Sequence, residues 1–158
     1  MKKAAYKTDI GYITLTEDNG VLISLSFGNN ADKNEETAFL KRCYEEIEEY
    51  LLGRRQVFDI KYRIPGSGFY KKVWEELIKI PYGQTRTYSE IAKCVGNEKA
   101  ARAVGMACNK NEMVIVIPCH RVIGKNGALT GFAGGLDVKE KLLTLERKGE
   151  IPLGEGKD

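Results

Sequence analysis

A cysteine and a histidine that are adjacent in sequence are the residues best suited to chemistry in this chain. Cys119 and His120 lie in the segment 118–122 (Pro-Cys-His-Arg-Val), directly after the apolar run 113–117. His120 is the only histidine among 158 residues, and Cys119 is one of four cysteines. Cysteine attacks as the thiolate, so it needs a basic neighbour to react near neutral pH. We therefore predict a buried strand that ends by placing a nucleophile beside a proton acceptor.

The other cysteines indicate neither a disulfide framework nor a metal centre. Cys43, Cys94 and Cys108 are far apart, and no two cysteines form a C-x-x-C pair. With one histidine and no cysteines at ligand spacing, we expect no metal site. No apolar run could span a bilayer, and no signal-peptide core follows the basic residues 1–7. We therefore expect reduced thiols, a cytoplasmic location and no membrane partner.

Length and charge narrow the class of protein but leave its partner open. The 158 residues suffice for one domain or two small ones, and 42% hydrophobic with 30% charged residues is an ordinary globular composition. Residues 63–158 carry 16 Lys and Arg against 11 Asp and Glu, whereas residues 1–62 carry 9 against 11. The basic half contains Cys119. This excess of positive charge is compatible with a polyanionic partner and equally with a surface that binds no partner.

The beginning of the chain predicts a β-hairpin followed by a helix. Residues 12–16 and 21–27 alternate between apolar and polar types, and the Asp-Asn-Gly at 18–20 between them is typical of a hairpin turn. Apolar residues then recur at three- and four-residue spacing, which predicts a helix over 35–52. We expect Gly53 to end that helix.

The next segments predict a boundary between two domains. Residues 57–60 are apolar enough to add a strand to the first sheet. The segment 64–68 (Ile-Pro-Gly-Ser-Gly) is typical of a linker. A helix with apolar residues on one side is then expected from 69 to about 78.

Two short helices with a tight connection are predicted after this helix. Thr87 and Glu90 form a capping box, in which Thr87 caps the helix and Glu90 reaches back to it. Gly96 ends the helix, and we expect Asn97 to cap the next one, over 98–109. This arrangement is typical of a helix-turn-helix and equally of a generic helical hairpin, and spacing alone leaves both open.

The second of these helices combines small residues with one long side chain. Ala100, Ala101 and Gly105 surround Arg102. A glycine inside a helix costs about 1 kcal/mol relative to alanine. The pattern fits tight packing on another helix, and it fits equally a helix pressed against a large ligand that Arg102 reaches.

The last third of the chain predicts a turn, a loop and a final helix. Residues 124–127 (Gly-Lys-Asn-Gly) are typical of a hairpin turn. Three of the five residues at 131–135 are glycine, which suits either a mobile connector or a loop whose N–H groups approach a substrate. A helix is expected over 137–148, with Glu146 near its end.

In this order, the segments resemble the O6-alkylguanine-DNA alkyltransferases, also called methylated-DNA–protein-cysteine methyltransferases. The resemblance covers about residues 69–149 with the spacing between segments intact, whereas residues 1–62 match only in general character. The matching segments are 81–83 (Pro-Tyr-Gly), 87–92 (Thr-Tyr-Ser-Glu-Ile-Ala), 101–105 (Ala-Arg-Ala-Val-Gly), Asn111, 117–123 (Ile-Pro-Cys-His-Arg-Val-Ile), 131–135 (Gly-Phe-Ala-Gly-Gly) and 139–146.

The resemblance implies a two-domain fold and a DNA partner. It implies a variable, RNase H-like α/β domain at 1–62, a linker at 63–68, and a mostly helical domain at 69–158 with a winged helix-turn-helix-like unit. Such a monomer binds double-stranded DNA in the minor groove and rotates O6-alkylguanine out of the base stack, because the alkyl group is otherwise shielded. The implied DNA-binding residues are Thr87, Tyr88, Ala100, Ala101, Arg102 and Gly105.

The resemblance also assigns a reaction, in which the sulfur of Cys119 displaces guanine from the alkyl carbon. Cys119, His120 and Glu146 match a relay with a water between cysteine and histidine, and Glu146 orients the imidazole. No cofactor is needed, and the stable thioether consumes the protein in one turnover. The other residues with implied roles are Asn111, which braces the cysteine turn; Tyr88, which pushes the 3′ phosphate and meets guanine N3; Arg102, which fills the gap left by the base; and Val122, Phe132, Ala133, Gly134 and Lys139, which form or support the guanine pocket.

Three positions depart from the family pattern. Glu112 replaces a proline that would stiffen the turn after Asn111, Phe132 replaces a tyrosine, and Ala133 lacks a hydroxyl that some members carry. We expect these differences to affect the rate and the tolerated alkyl size, and not the reaction class.

Three other functions are compatible with parts of the pattern. A non-catalytic lesion-binding protein of the same fold would lack the reactive cysteine, whereas Cys119 is present. A cysteine hydrolase would bring its cysteine and histidine together from distant segments. A transcription regulator would use 87–109 and leave the Cys-His segment and the glycine loop unexplained.

Overall fold

The computed structural model describes residues 1–149, and its elements fall into an N-terminal sheet with one helix and a C-terminal helical part. The elements are β1 (Lys2–Thr8), β2 (Gly11–Asp18), β3 (Val21–Phe27), α1 (Ala38–Leu51), α2 (Gly68–Ile78), β4 (Arg86–Thr87), α3 (Tyr88–Cys94), α4 (Ala101–Asn109), β5 (Val122–Ile123) and α5 (Leu136–Lys148). The part of the predicted second domain from 150 to 158 lies outside the described residues.

The N-terminal sheet is antiparallel in the order β1-β2-β3. The predicted hairpin is present: Asp18 pairs with Val21, and Asn19 and Gly20 have φ of 51° and 79°. Two consecutive residues with positive φ give the turn whose twist matches that of the flanking strands. Leu15, Leu22 and Leu25 are fully buried on one face of this sheet.

Helix α1 covers the buried face of the sheet and begins three residues later than predicted. The Thr37 hydroxyl accepts the N–H of Leu40 and so fixes the first turn. Glu35, where we predicted the helix to start, instead donates its N–H to the carbonyl of Lys3 in β1. The prediction included residues 35–37 because their side chains suit a helix. In the structure, the backbone of Glu35 is instead hydrogen-bonded to the edge of the sheet, so the helix starts later.

The strand predicted at 57–60 does not form. The Asp59 N–H donates to Oε1 of Glu46, and Arg55 donates to the Val57 carbonyl, so side chains satisfy the backbone that a strand would pair. The chain reaches the sheet only at Tyr62, in an isolated bridge to Leu22.

The C-terminal part is built from α2, α3 and α4, as the helical periodicity predicted. The capping box at the start of α3 is present, with both hydrogen bonds between Thr87 and Glu90. Helix α4 begins at Ala101 and not at 98, because Asn97 accepts the Lys99 N–H and starts a separate turn. Trp74 of α2 donates to the Ala107 carbonyl at 2.9 Å and fixes α2 against α4.

The apolar run 113–117 is buried as predicted, but it is not a strand. Only Met113 bridges to the sheet, at Leu25 of β3. Ile115 has a φ of 71°, and Ile117 donates back to the Met113 carbonyl, so the run folds into a tight turn. The Cys-His pair therefore follows a compact turn packed against the edge of the N-terminal sheet.

A turn and a final helix complete the described chain. Strand β5 pairs in parallel with β4. The Gly124 N–H then donates to the Ala128 carbonyl at 2.6 Å and closes the turn that follows β5. That turn is present, but within residues 1–149 no second strand completes the predicted hairpin. Helix α5 begins within one residue of its predicted start and ends at Gly149, which has a φ of 81°. No helix in the described part of the chain is long and apolar enough to cross a membrane.

The ends of α1 and α5 meet, which joins the two parts of the molecule. Gly53, just after α1, has a φ of 75°, and a Cβ on it would overlap the carbonyl oxygen of Gly149. This close approach brings the last turns of the two helices together. Tyr50 and Glu146 lie in those last turns.

Candidate active site

The site is centred on the buried carboxylate of Glu146, whose side chain is 1% exposed. Oε2 lies 2.7 Å from Nε2 of His120 and accepts the Tyr50 hydroxyl at 2.6 Å. Arg121 donates through Nε to Oε1 at 2.8 Å and through Nη2 to Oε2 at 2.9 Å, and the Gly83 N–H reaches Oε1 at 3.1 Å. One carboxylate therefore binds donors from three separate segments of the chain.

The donors around Glu146 keep it ionised. Burial alone would oppose ionisation, but the hydrogen bonds from His120 and Arg121 and the positive charge of Arg121 hold the pKa of Glu146 well below its usual 4.5. The third Arg121 nitrogen, Nη1, donates to the Ile80 carbonyl at 2.7 Å, which fixes the guanidinium in the core.

This carboxylate determines which nitrogen of His120 carries the proton. An ionised carboxylate only accepts hydrogen bonds, so Nε2 of His120 must donate to it, and Nδ1 of the neutral ring is left with a free lone pair. Nδ1 is buried and has no hydrogen-bond partner among the described residues. Burial lowers the pKa of His120, so the ring is neutral at pH 7 and can accept a proton at Nδ1.

Cys119 begins a single 3₁₀ turn, Cys119–Arg121, and is 1% exposed. Nδ2 of Asn111 donates to its Sγ at 3.1 Å and to the Ile117 carbonyl at 2.9 Å, while Oδ1 of Asn111 accepts the Met113 N–H. The pKa of the Cys119 thiol is raised to about 11, because the effect of burial exceeds the opposing effects of the Asn111 hydrogen bond and the Lys139 charge. The resting group is therefore a thiol that must give up its proton to react.

A second group of residues holds the glycine-rich loop. Lys139 is fully buried, and its Nζ donates to the Thr130 carbonyl at 2.9 Å and to the Tyr88 hydroxyl at 3.4 Å. The Tyr88 hydroxyl donates to the same carbonyl at 3.0 Å. These bonds attach the start of the loop to α3 and α5.

The glycine-rich loop also packs against the N-terminal sheet. Phe132 is 9% exposed and contacts Phe27 of β3 edge to face, with ring centroids 5.5 Å apart. A Cβ on Gly134 would lie 2.9 Å from the Phe27 ring, so any larger residue there would force that ring to shift. Ala133 is exposed between them, and Val122 is buried beside the cysteine turn.

Helix α4 presents an exposed face beside this loop. Arg102 is exposed, and Ala101, Gly105, Tyr88 and Thr130 line the same cavity of about 430 Å³. A Cβ on Gly105 would meet the Tyr88 ring at 3.8 Å, an ordinary contact, so packing within the chain does not require glycine there.

Two predicted DNA-binding residues do not offer their side chains to this face. Ala100, the residue directly before α4, is only 8% exposed and packs in the core. Thr87 caps α3 with its hydroxyl.

The structure thus gathers the predicted residues into two groups and adds three that sequence reasoning missed. One group consists of Cys119, His120, Glu146 and Asn111. In the other, Tyr88 and Lys139 hold the loop that carries residues 132–134. The missed residues are Tyr50, Gly83 and Arg121. Arg121 belonged to a recognised motif, whereas Tyr50 gave no signal beyond a polar hydroxyl on an apolar helix face. Within residues 1–149 no three His, Cys, Asp or Glu side chains are placed to hold a metal ion.

Two sequence families match the chain. Residues 68–148 match the family described as 6-O-methylguanine DNA methyltransferase, DNA binding domain. Residues 1–64 match the one described as 6-O-methylguanine DNA methyltransferase, ribonuclease-like domain. Together the two matches cover nearly the whole described chain.

Named relatives and a solved structure agree with these families. The methylated-DNA–protein-cysteine methyltransferase of Methanosarcina acetivorans is 46% identical over 155 residues, which cover 92% of this chain and 98% of the relative. The constitutive one of Bacillus subtilis is 46% identical over 116 residues, covering 73% of this chain and 70% of the relative. The crystal structure of Mycobacterium tuberculosis OGT in complex with DNA is 35% identical with a TM-score of 0.88, and the alignment covers 96% of each chain.

Replacing the central carboxylate should change how stability depends on pH. Because the folded-state pKa of Glu146 is depressed, its contribution is present above pH 4.5 and is lost as the pH falls below that value. Glu146→Gln leaves Arg121 without its partner charge and should lower the free energy of unfolding at pH 7 by about 3 kcal/mol or more. In urea titrations from pH 7 to 3.5, the gap between the two proteins should shrink toward acid. A gap that is independent of pH would contradict an ionised, stabilising Glu146.

Proposed function

This chain belongs to the 6-O-methylguanine DNA methyltransferase family, and we propose that it repairs O6-alkylguanine in duplex DNA by moving the alkyl group to Cys119. Its activity is that of a methylated-DNA–protein-cysteine methyltransferase. One observation carries the proposal: a buried cysteine is followed by a histidine whose Nε2 faces an ionised glutamate and whose Nδ1 has no hydrogen-bond partner within residues 1–149.

Proton transfer from the thiol prepares the nucleophile. Because burial keeps Cys119 protonated, a base must take its proton as the alkyl carbon approaches. Nδ1 of His120 is that base, acting through the water that the family resemblance implies. Glu146 then stabilises the imidazolium that forms, as the third member of a triad does.

The transfer is a displacement at the alkyl carbon. The sulfur forms a bond to that carbon, the carbon–O6 bond breaks, and its electron pair stays on guanine. The proton removed from the thiol is returned to the guanine, so atoms and charge balance. The product thioether is not cleaved by the histidine, carboxylate, guanidinium or amine nearby, so each molecule acts once.

The glycine-rich loop is the wall of the guanine pocket. Lys139 and Tyr88 hold the loop at Thr130, and Phe132 and Gly134 rest on Phe27. Ala133 is exposed on this loop, and in the proposed complex its amide meets O6. The backbone around Cys119 and Val122 reads the exocyclic amine of the base. Without a hydroxyl at position 133, the Ala133 N–H is the only donor that this residue supplies.

The exposed face of α4 is the DNA-binding surface. Arg102 is exposed next to the cavity near Tyr88, where its guanidinium can fill the space of a base that has rotated out. Ala101 and Gly105 are small enough for a close approach to the minor groove. Glu112 is also exposed, and its charge opposes the phosphates if the groove extends that far.

The sulfur acceptor is tested by removing it. Cys119→Ala should bind duplex DNA containing O6-methylguanine with unchanged affinity and receive no methyl group. Intact-mass spectrometry should show a single methyl adduct on the wild type, and peptide mapping should place it on Cys119 and not on the exposed Cys94. An adduct on the variant would refute the assignment, and binding without any transfer by the wild type would favour the non-catalytic lesion-binding function.

The DNA face is tested with a duplex substrate, whose base must rotate out, and with a free base, which needs no rotation. Arg102→Ala should slow transfer from an O6-methylguanine duplex by roughly tenfold, because it loses one charge-assisted contact. Transfer from free O6-benzylguanine should be unaffected, since a free base does not have to leave a duplex. Equal losses on both substrates would contradict a role in base rotation.

A further inference from the structure

We propose that Tyr50, from the N-terminal part of the chain, is a positioning residue for the alkyl transfer. Its hydroxyl fixes the Glu146 carboxylate and, through it, the orientation of His120. The inference rests on the proposed function, and it adds that the N-terminal sheet and helix complete the catalytic machinery.

The hydrogen bond from Tyr50 has the geometry of a charge-assisted contact. The distance from the Tyr50 oxygen to Oε2 of Glu146 is 2.6 Å, and the two residues are 96 positions apart. Hydroxyl donors lie about 2.5–2.7 Å from charged oxygens and about 2.7–2.8 Å from neutral ones. The same hydroxyl lies 3.4 Å from Nε2 of His120, so both groups converge on one carboxylate oxygen.

The Tyr50 ring is held in place, so the hydroxyl has a defined direction. Its side chain is fully buried between Phe58 and Tyr82, with ring centroids 5.5 Å and 6.2 Å away. The contact between Gly53 and Gly149 fixes the helices that carry Tyr50 and Glu146. Phenylalanine would fill the same volume without the cost of burying a hydroxyl. The hydroxyl is therefore explained by its bond to the carboxylate and not by packing.

This bond affects the basicity of His120 as well as its position. Within residues 1–149, the charged groups that act on His120 are Glu146, Arg121 and Lys139, and the titratable Tyr50 hydroxyl lies 3.4 Å from its Nε2. A donor on Oε2 reduces the negative charge that a protonated imidazole experiences. Without the Tyr50 hydroxyl, the imidazolium is more stable and the ring is less firmly oriented. The base then loses its proton-accepting form at a higher pH.

The test compares two tyrosine-to-phenylalanine variants of the full chain. Tyr50→Phe should lower the single-turnover rate on an O6-methylguanine duplex by roughly tenfold, because a bond to a charged group is lost. The acidic limb of the pH–rate profile should move to higher pH, while duplex affinity stays unchanged. Tyr44→Phe is the matched control, since Tyr44 lies on the same helix and its hydroxyl meets the Lys7 carbonyl, away from the site. It should leave the rate and the profile as in the wild type.

A double-mutant cycle separates positioning from general stability. In a Glu146→Gln background, Tyr50→Phe should have no further effect on the rate, because the partner through which it acts is gone. Additive losses would contradict the proposal.

A fluorinated tyrosine at position 50 provides a variant that keeps both ring and hydroxyl. Its more acidic phenol donates more strongly, so the acidic limb should move to lower pH, opposite to Tyr50→Phe. This variant decides the matter even if Tyr50→Phe does not fold.

Failure of this inference differs from failure of the proposed function. If the wild type transfers the methyl group and Tyr50→Phe matches it in rate and pH profile, Tyr50 has no positioning role. Tyr50 also has no positioning role if the transfer rate falls while the pH–rate profile stays unmoved and the melting temperature falls in proportion to the rate. If the wild type itself transfers nothing, the proposed function is wrong.

Discussion

A single buried negative charge on Glu146 organises the structure around the nucleophile. Isolated in the core, such a charge would be strongly unfavourable, and it is tolerated because Tyr50, Arg121, His120 and the Gly83 amide all donate to it. These donors come from α1, the cysteine turn and the connection after α2. The carboxylate therefore does more than orient one imidazole, since it fixes the relative positions of segments that are far apart in sequence.

The proposed reaction depends on this arrangement because it determines which nitrogen of His120 can accept the thiol proton. With Glu146 ionised, His120 must carry its proton on Nε2, which leaves Nδ1 free to accept the thiol proton. Burial keeps Cys119 a thiol at rest, and in the proposed reaction its proton leaves as the alkyl carbon approaches. Asn111 and Lys139 supply part of the stabilisation that the thiolate needs.

The sequence predicted the family, and which residues lie together at the site, better than the local geometry of the chain. The family resemblance and the two-part fold class are confirmed by the family matches, and the predicted Cys119, His120, Glu146 and Asn111 do lie together. The strands predicted at 57–60 and 113–117 were wrong, because side chains satisfy the backbone of the first and Ile115 turns the second into the left-handed region. Tyr50 could not be predicted, since its role arises only where two distant helices meet. The domain boundaries, the monomeric state and the roles assigned to single residues stay predictions.

The protonation state of the single histidine decides whether Nδ1 can accept the thiol proton. Because His120 is unique in the chain, its ring nitrogens can be assigned without ambiguity in a ¹⁵N-labelled sample of the resting protein. We expect a neutral ring at pH 7 with the proton on Nε2 and an unprotonated Nδ1. A ring protonated on Nδ1, or on both nitrogens, would show that Nδ1 is not the acceptor of the thiol proton.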